Sequence, residues 1–123
     1  MSKHPVNMAL RFILELAALV SVARWGFQLS DGAIRIVLAI LFPVSFALIW
    51  GIFAVRNDPS RSGKTVIPTP GIIRLFLELG LFAAAAWMLF DLGFNIPAWS
   101  FLVALLVHYV SSLNRIRWLL KQK

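Results

Sequence analysis

The sequence predicts an all-α fold, a polytopic four-helix transmembrane bundle formed by residues 1–123 as a single transmembrane domain. Hydrophobic residues make up 60% of the chain, charged residues make up 14%, and the mean hydropathy is +0.84. Soluble proteins carry about 25% charged residues. A chain of 123 residues cannot bury this much apolar surface in a globule, because small domains expose a large share of their surface. The composition therefore predicts that lipid is the solvent.

Four stretches are long enough to cross a bilayer, which takes about 20 apolar residues in a helix. They are residues 8–28, 33–55, 71–92 and 98–120. In the first turn, "QLSDGA" (28–33), Ser30 or Asp31 is placed to cap the second helix. In "DLGFNIPA" (91–98), Asn95 is placed to cap the fourth helix and Pro97 suits its first turn. Residues 56–70 are the one long polar loop.

The basic residues predict the orientation of the chain. Ten of the twelve lie on the side that both termini and the 56–70 loop would share, against two, Arg24 and Arg35, on the other side. Cytoplasmic segments are enriched in Lys and Arg. Both termini and the loop are therefore predicted to be cytoplasmic, in a multi-pass protein of the bacterial inner membrane. Trp50 and Trp118 are expected as anchors at the inner interface.

One short pattern occurs twice in the chain. Residues 10–17 read "LRFILELA" and residues 73–80 read "IRLFLELG", so the same Arg-x-x-x-Glu-Leu pattern opens the first and the third stretch. This recurrence indicates two helical hairpins in the same orientation, a parallel repeat related by an axis along the membrane normal.

The repeated pattern also supplies the candidate site. Glu15 and Glu78 lie inside apolar stretches, where a carboxylate costs on the order of 2.5–3.5 kcal/mol at the bilayer centre and less near an interface. Arg11 and Arg74 precede them by four residues, so each pair can close within its own helix. Two interpretations follow. The pairs lock the helices together, or they line a cytoplasmic vestibule that binds a proton, a cation or a polar headgroup.

The fourth stretch adds a polar stripe. His108, Ser111, Ser112 and Arg115 have the spacing of one helix face, with Asn114 beside them. Such a stripe is unsuited to lipid, so it is predicted to face Glu15 and Glu78. The nine residues of the predicted polar intramembrane cluster are Arg11, Glu15, Arg74, Glu78, His108, Ser111, Ser112, Asn114 and Arg115.

Several function classes find no support in the sequence. The chain has no cysteine, and its two histidines, His4 and His108, are far apart, so no metal site and no cofactor are predicted. No enzyme motif occurs, and the chain is predicted to be non-enzymatic. The net charge of +7 lies in membrane-flanking segments. It therefore predicts anionic headgroups on the cytoplasmic side as partners, and not nucleic acid.

Several short motifs resemble the YrdB-like family of small four-helix bacterial membrane proteins, a domain of unknown function. These motifs are the two Arg-x-x-x-Glu-Leu segments together with "WGIFAVR" (50–56) and "LNRI" (113–116). The resemblance covers about residues 7–120, and Pro59 loosely matches a proline that family members often carry soon after the arginine that ends the second stretch. It implies a bacterial inner-membrane location and supplies no activity.

Three functions are compatible with the sequence, of which a membrane enzyme that acts on lipid is the least favoured. The first is an assembly or regulatory partner in the membrane, acting as a homo-oligomer or with another membrane protein. The alternative is a small transporter or channel for a proton, cation or small solute that uses Glu15, Glu78 and His108.

Overall fold

The structure, a computed structural model, describes residues 5–54 and 67–122. Five helices dominate it: α1 (Pro5–Gln28), α2 (Ala33–Ile52), α3 (Gly71–Asp91), α4 (Asn95–Ser111) and α5 (Leu113–Leu120). The prediction of an all-α fold is confirmed. Two short strands, β1 (Phe53–Ala54) and β2 (Ile67–Pro68), pair in parallel where the long loop leaves α2 and rejoins α3. Residues 56–66 of the predicted loop, with Pro59, lie outside the described residues, as does His4.

The helix starts differ from the predicted caps. Gly32, and not Ser30 or Asp31, stands at the N-cap of α2, with a φ of 65° and without a side-chain cap hydrogen bond. Glycine adopts this left-handed conformation without the penalty that a Cβ would bring, so the chain reverses there. Phe94 stands at the N-cap of α4 and Asn95 is already helical, so the predicted Asn95 cap is also wrong. Pro97 lies in the first turn of α4 as predicted.

Helices α2 and α3 are each long and apolar enough to cross a membrane, and α4 with α5 would add a third such segment if the bent pair forms one span. These are the candidate spans within residues 5–54 and 67–122. Helix α1, of 24 residues, carries three charged side chains, Arg11, Glu15 and Arg24.

The predicted fourth span, residues 98–120, is not one straight helix. Helix α4 ends at Ser111, α5 begins at Leu113, and the two axes are bent by 69°. The bend carries α5 back onto the start of α3, where Gly71 N–H donates to the Gln122 carbonyl at 3.1 Å. Gly71 has no side chain, and a Cβ there would overlap the Leu119 carbonyl. This close backbone approach fixes the direction of α5.

The apolar core lies between α1, α3 and α4. Its most deeply buried members are Leu14, Val22, Phe82, Ala85 and Ala98. Helix α2 packs mainly on α1 and has no buried residue of its own. Helix α4 packs on both α3 and α1, so the two halves of the sequence repeat occupy unequal positions in the fold.

Candidate functional site

The Glu78 carboxylate is the centre of the polar cluster. Its side chain is 0% exposed, on the face of α3 that turns toward α1, α4 and α5. Arg74 lies one helical turn earlier on the same face, and its Nε donates to Glu78 Oε2 at 2.8 Å. The intrahelical pair that the four-residue spacing predicts therefore forms.

A second arginine reaches Glu78 from the far end of the chain. Arg115, on α5, donates from Nη1 to Glu78 Oε1 at 3.1 Å and from Nη2 to Oε2 at 2.7 Å. This is the two-point contact in which a guanidinium matches a carboxylate, one of the stronger protein hydrogen-bond arrangements. The contact ties α5 to α3.

The third arginine joins the two carboxylates of the sequence repeat. Arg11, on α1, has its Nε 3.1 Å from Glu15 Oε1. Its Nη1 donates to Glu78 Oε1 at 3.3 Å, and its Nη2 lies 3.0 Å from Glu78 Oε2. The predicted Arg11–Glu15 pair is present, and the same guanidinium also bridges α1 to α3.

Two aromatic residues complete the cluster. The Tyr109 hydroxyl, on α4, donates to Glu78 Oε1 at 2.9 Å. The ring of Trp50, on α2, lies 5.3 Å from the Arg11 guanidinium carbon and 5.0 Å from that of Arg74, within the range of cation–π attraction. Arg74 Nη1 also donates to the carbonyls of Trp50 and Phe53 where α2 ends. The cluster thus receives groups from all five helices.

The predicted stripe of the fourth stretch reaches the site in part. His108 and Ser112 are buried, and the His108 ring contacts the Tyr109 ring with centroids 5.0 Å apart. Ser111 is exposed and its hydroxyl donates to the Val107 carbonyl, and Asn114 is exposed beside Arg115. The break at Ser112 rotates α5 relative to α4. His108, Ser112 and Arg115 nevertheless stay buried on both sides of the break, and Ser111 and Asn114 do not.

Two members of the site were not among the predicted residues. Tyr109 is the single tyrosine of the sequence, and it directly follows His108. A buried tyrosine hydroxyl needs a hydrogen-bond partner, and this requirement was the available signal for it. Trp50 was predicted to be an interfacial anchor, whereas its ring packs against two guanidinium groups; the sequence pattern held no signal for that contact.

The chemistry of the cluster follows from its charges and hydrogen bonds. Glu78 receives contacts from three arginines and a tyrosine, which occupy the roughly four lone-pair positions of a carboxylate. Glu15 differs, since its side chain is 29% exposed. Within the described residues the cluster combines three guanidinium groups and two carboxylates, an excess of one positive charge. The same residues contain no group of three potential metal ligands.

Comparisons with known proteins place the sequence among relatives without an assigned role. Residues 9–106 match the family model described as "Protein of unknown function (DUF2568)". The chain is 40% identical over 119 residues to a protein of Bacillus subtilis (strain 168) described as "Uncharacterized protein YrdB", and the match covers 97% of each chain. No solved structure matches the chain.

Proposed function

We propose a function from the geometry alone, because the chain belongs to DUF2568, a family of proteins of unknown function. The protein is a small, non-enzymatic, multi-pass protein of the bacterial inner membrane that acts as an assembly or regulatory partner for membrane proteins. The observation that carries this proposal is the saturated Glu78 carboxylate. The most buried ionisable group of the site is used to hold α1, α3, α4 and α5 together.

A structural role for Glu78 follows from its contacts. A proton or ion carrier must exchange its ligand, and a carboxylate with three guanidinium partners would have to release buried positive charge to do so. Removing one member of a buried ion pair costs about 3–5 kcal/mol. Such a group is suited to fixing helices and poorly suited to rapid turnover.

Helix α2 supplies the surface for a partner. It is apolar apart from Arg35 and Ser45 and has no buried residue, whereas α4 buries Ala98, Phe101, Leu105 and His108. A further membrane helix that packs on α2 would bury surface that the chain itself leaves uncovered, for example at Ile40. Helix packing in lipid depends on such van der Waals contact.

Topology is part of the proposal. We infer a four-helix membrane bundle in which α5 leaves the membrane, with both termini cytoplasmic. The chain contains no cysteine, so single cysteines can be introduced without background labelling. A cysteine at position 60 is expected to react with a membrane-impermeant maleimide only after the cytoplasmic side is opened, and one at position 93 to react from outside. The reversed pattern would overturn the orientation.

Helix α5 adds an expected contact with anionic headgroups. Arg117 of α5 and Lys121, the residue that follows the helix, are exposed, and so are Leu113 and Leu120 of α5. If α4 stands along the membrane normal, the 69° bend leaves α5 about 20° from the membrane plane. An interfacial helix places apolar residues in the acyl boundary and basic residues at the headgroups.

Photo-crosslinking in native membranes tests the partner proposal. A photoreactive residue at Ile40 of α2 is expected to give a discrete adduct, either with a second copy or with another membrane protein. The matched control is Val103 of α4, since the two side chains are 60% and 59% exposed. No adduct at position 40, or equal adducts at both positions, would contradict docking on α2.

One observation favours a second candidate function, transport of a proton, cation or small solute. Glu15 is partly exposed and borders a cavity, whereas Glu78 is fully buried. Proteoliposomes with an internal pH dye distinguish the two functions. If the protein acts as a partner and not as a transporter, the proton flux into protein-containing liposomes should equal that into empty liposomes. A flux that Glu15→Gln abolishes in a normally folded protein would establish transport instead.

A further inference from the structure

A cavity of about 160 Å³ opens beside Glu15, between α1, α2 and α3. It extends from the polar cluster along the groove between α1 and α2. Its lining includes Glu15 and Leu19 of α1, Phe46, Ala47 and Trp50 of α2, and Leu81 of α3. The cavity is therefore apolar except at the end where the Glu15 carboxylate lies.

The volume limits the size of an occupant. An engineered apolar cavity of about 150 Å³ is known to hold one benzene molecule. The present cavity, at about 160 Å³, has room for one ring or a branched group of similar size. The rings of Phe46 and Trp50 in its wall suit a flat, apolar body.

The carboxylate determines which polar group the occupant carries. Arg11 Nε lies 3.1 Å from Glu15 Oε1, and the Trp50 side chain also hydrogen-bonds Glu15. A carboxylate offers about four lone-pair positions, more than these two contacts use. An ionised carboxylate only accepts hydrogen bonds, so an anion or an acceptor-only molecule gains nothing beside it. The occupant must carry an O–H or N–H donor.

The charge of the cluster excludes a cationic donor. Three guanidinium groups surround the carboxylates of Glu15 and Glu78, so the described cluster already has one excess positive charge. A further cation in this poorly solvated region would be repelled by Arg11 as it approaches Glu15. A neutral donor avoids that cost.

We propose that this cavity binds a neutral molecule with one ring-sized apolar body and one hydroxyl or N–H donor, of the phenol type, which donates to Glu15. Trp50 and Phe46 enclose the ring. The site is separate from the outward face of α2, so a negative result for binding in the cavity would not contradict the partner proposal.

Binding of 4-fluorophenol to the purified protein in nanodiscs, followed by ¹⁹F NMR, tests the proposal, with empty nanodiscs as the reference for partitioning. Saturable binding is expected, and competition by unlabelled phenol should reverse it. Fluorobenzene should bind at least about tenfold more weakly, because it lacks the hydrogen bond to a charged acceptor. A signal that grows linearly, as in empty nanodiscs, would overturn the proposal. Tighter binding of 4-fluorobenzylamine than of 4-fluorophenol would overturn the choice of a neutral donor.

Two substitutions locate the site. Ala47→Phe fills the cavity and should abolish saturable binding, whereas Ala83→Phe, the same change on an exposed position of α3 outside the cavity, should leave it intact. Glu15→Met removes the acceptor and should erase the preference for fluorophenol over fluorobenzene while fluorobenzene binding persists. Unchanged preference in Glu15→Met would show that Glu15 is not the acceptor.

Discussion

Arg115 Nη2 lies 2.7 Å from Glu78 Oε2, although the two residues are 37 positions apart in the chain. This contact joins the last helix to the third and gives Glu78 an ion-pair partner beyond the one on its own helix. It makes the two Arg-x-x-x-Glu segments chemically unequal, because Glu78 is fully buried while Glu15 stays partly exposed.

Glu78→Gln is expected to destabilise the fold by on the order of 3–5 kcal/mol, the usual cost of breaking a buried ion pair. The amide keeps the shape of the side chain and leaves three buried guanidinium groups without the charge of Glu78. Reversible unfolding in mixed micelles measures the change. Glu15→Gln is the matched control and should cost about 1 kcal/mol or less, because Glu15 is partly exposed. Equal losses in both variants would contradict the unequal roles.

Arg115→Lys should be destabilising although it keeps the positive charge. An ammonium is a point charge and cannot make the two parallel contacts that the guanidinium makes with both Glu78 oxygens. A loss of about 1–3 kcal/mol is expected, similar to that of a hydrogen bond to a charged group. A double-mutant cycle of Arg115→Met with Glu78→Gln should give a coupling energy of about 0.5–3 kcal/mol. Additive losses would show that the contact contributes nothing.

Tyr109→Phe isolates one hydrogen bond of the cluster. The change removes the hydroxyl that donates to Glu78 Oε1 at 2.9 Å and retains the ring that packs against Phe82. A loss of about 1.5–3 kcal/mol in the free energy of unfolding is expected, since the acceptor is charged. In a Glu78→Gln background the same change should cost less. An unchanged cost in that background would show that the effect does not depend on the charge of Glu78.

Gly71→Ala and Gly80→Ala should change stability in opposite directions. A Cβ at Gly71 would overlap the Leu119 carbonyl and displace α5. Overpacking of this kind lowers the free energy of unfolding by about 1–3 kcal/mol. A Cβ at Gly80 meets nothing within 4 Å, so alanine should stabilise α3 by about 0.5–1 kcal/mol. Unfolding in mixed micelles gives the sign, and hydrogen exchange of the α5 amides should rise only in Gly71→Ala. Unchanged exchange there would contradict the close-approach account.

Local spacing was sufficient to predict the helical class and the two intrahelical pairs. Arg11 with Glu15 and Arg74 with Glu78 are four residues apart, and an α-helix brings such positions together whatever surrounds it. The turns were located correctly, but their caps were not, because Gly32 with its positive φ, and not a capping side chain, stands at the start of α2.

The remaining contacts of the site depend on tertiary packing. Contacts from Arg11 and Arg115 decide which glutamate becomes the buried centre. These residues are 67 and 37 positions from Glu78, so a local sequence pattern cannot predict the contacts. The bend at Ser112 depends on Gly71, since only a residue without a side chain admits the Leu119 backbone so closely. The sequence by itself therefore determined the helices and their internal ion pairs, through the periodicity of the backbone. Only the tertiary structure decided that three arginines share Glu78, because long-range packing selects among partners that are equivalent in charge.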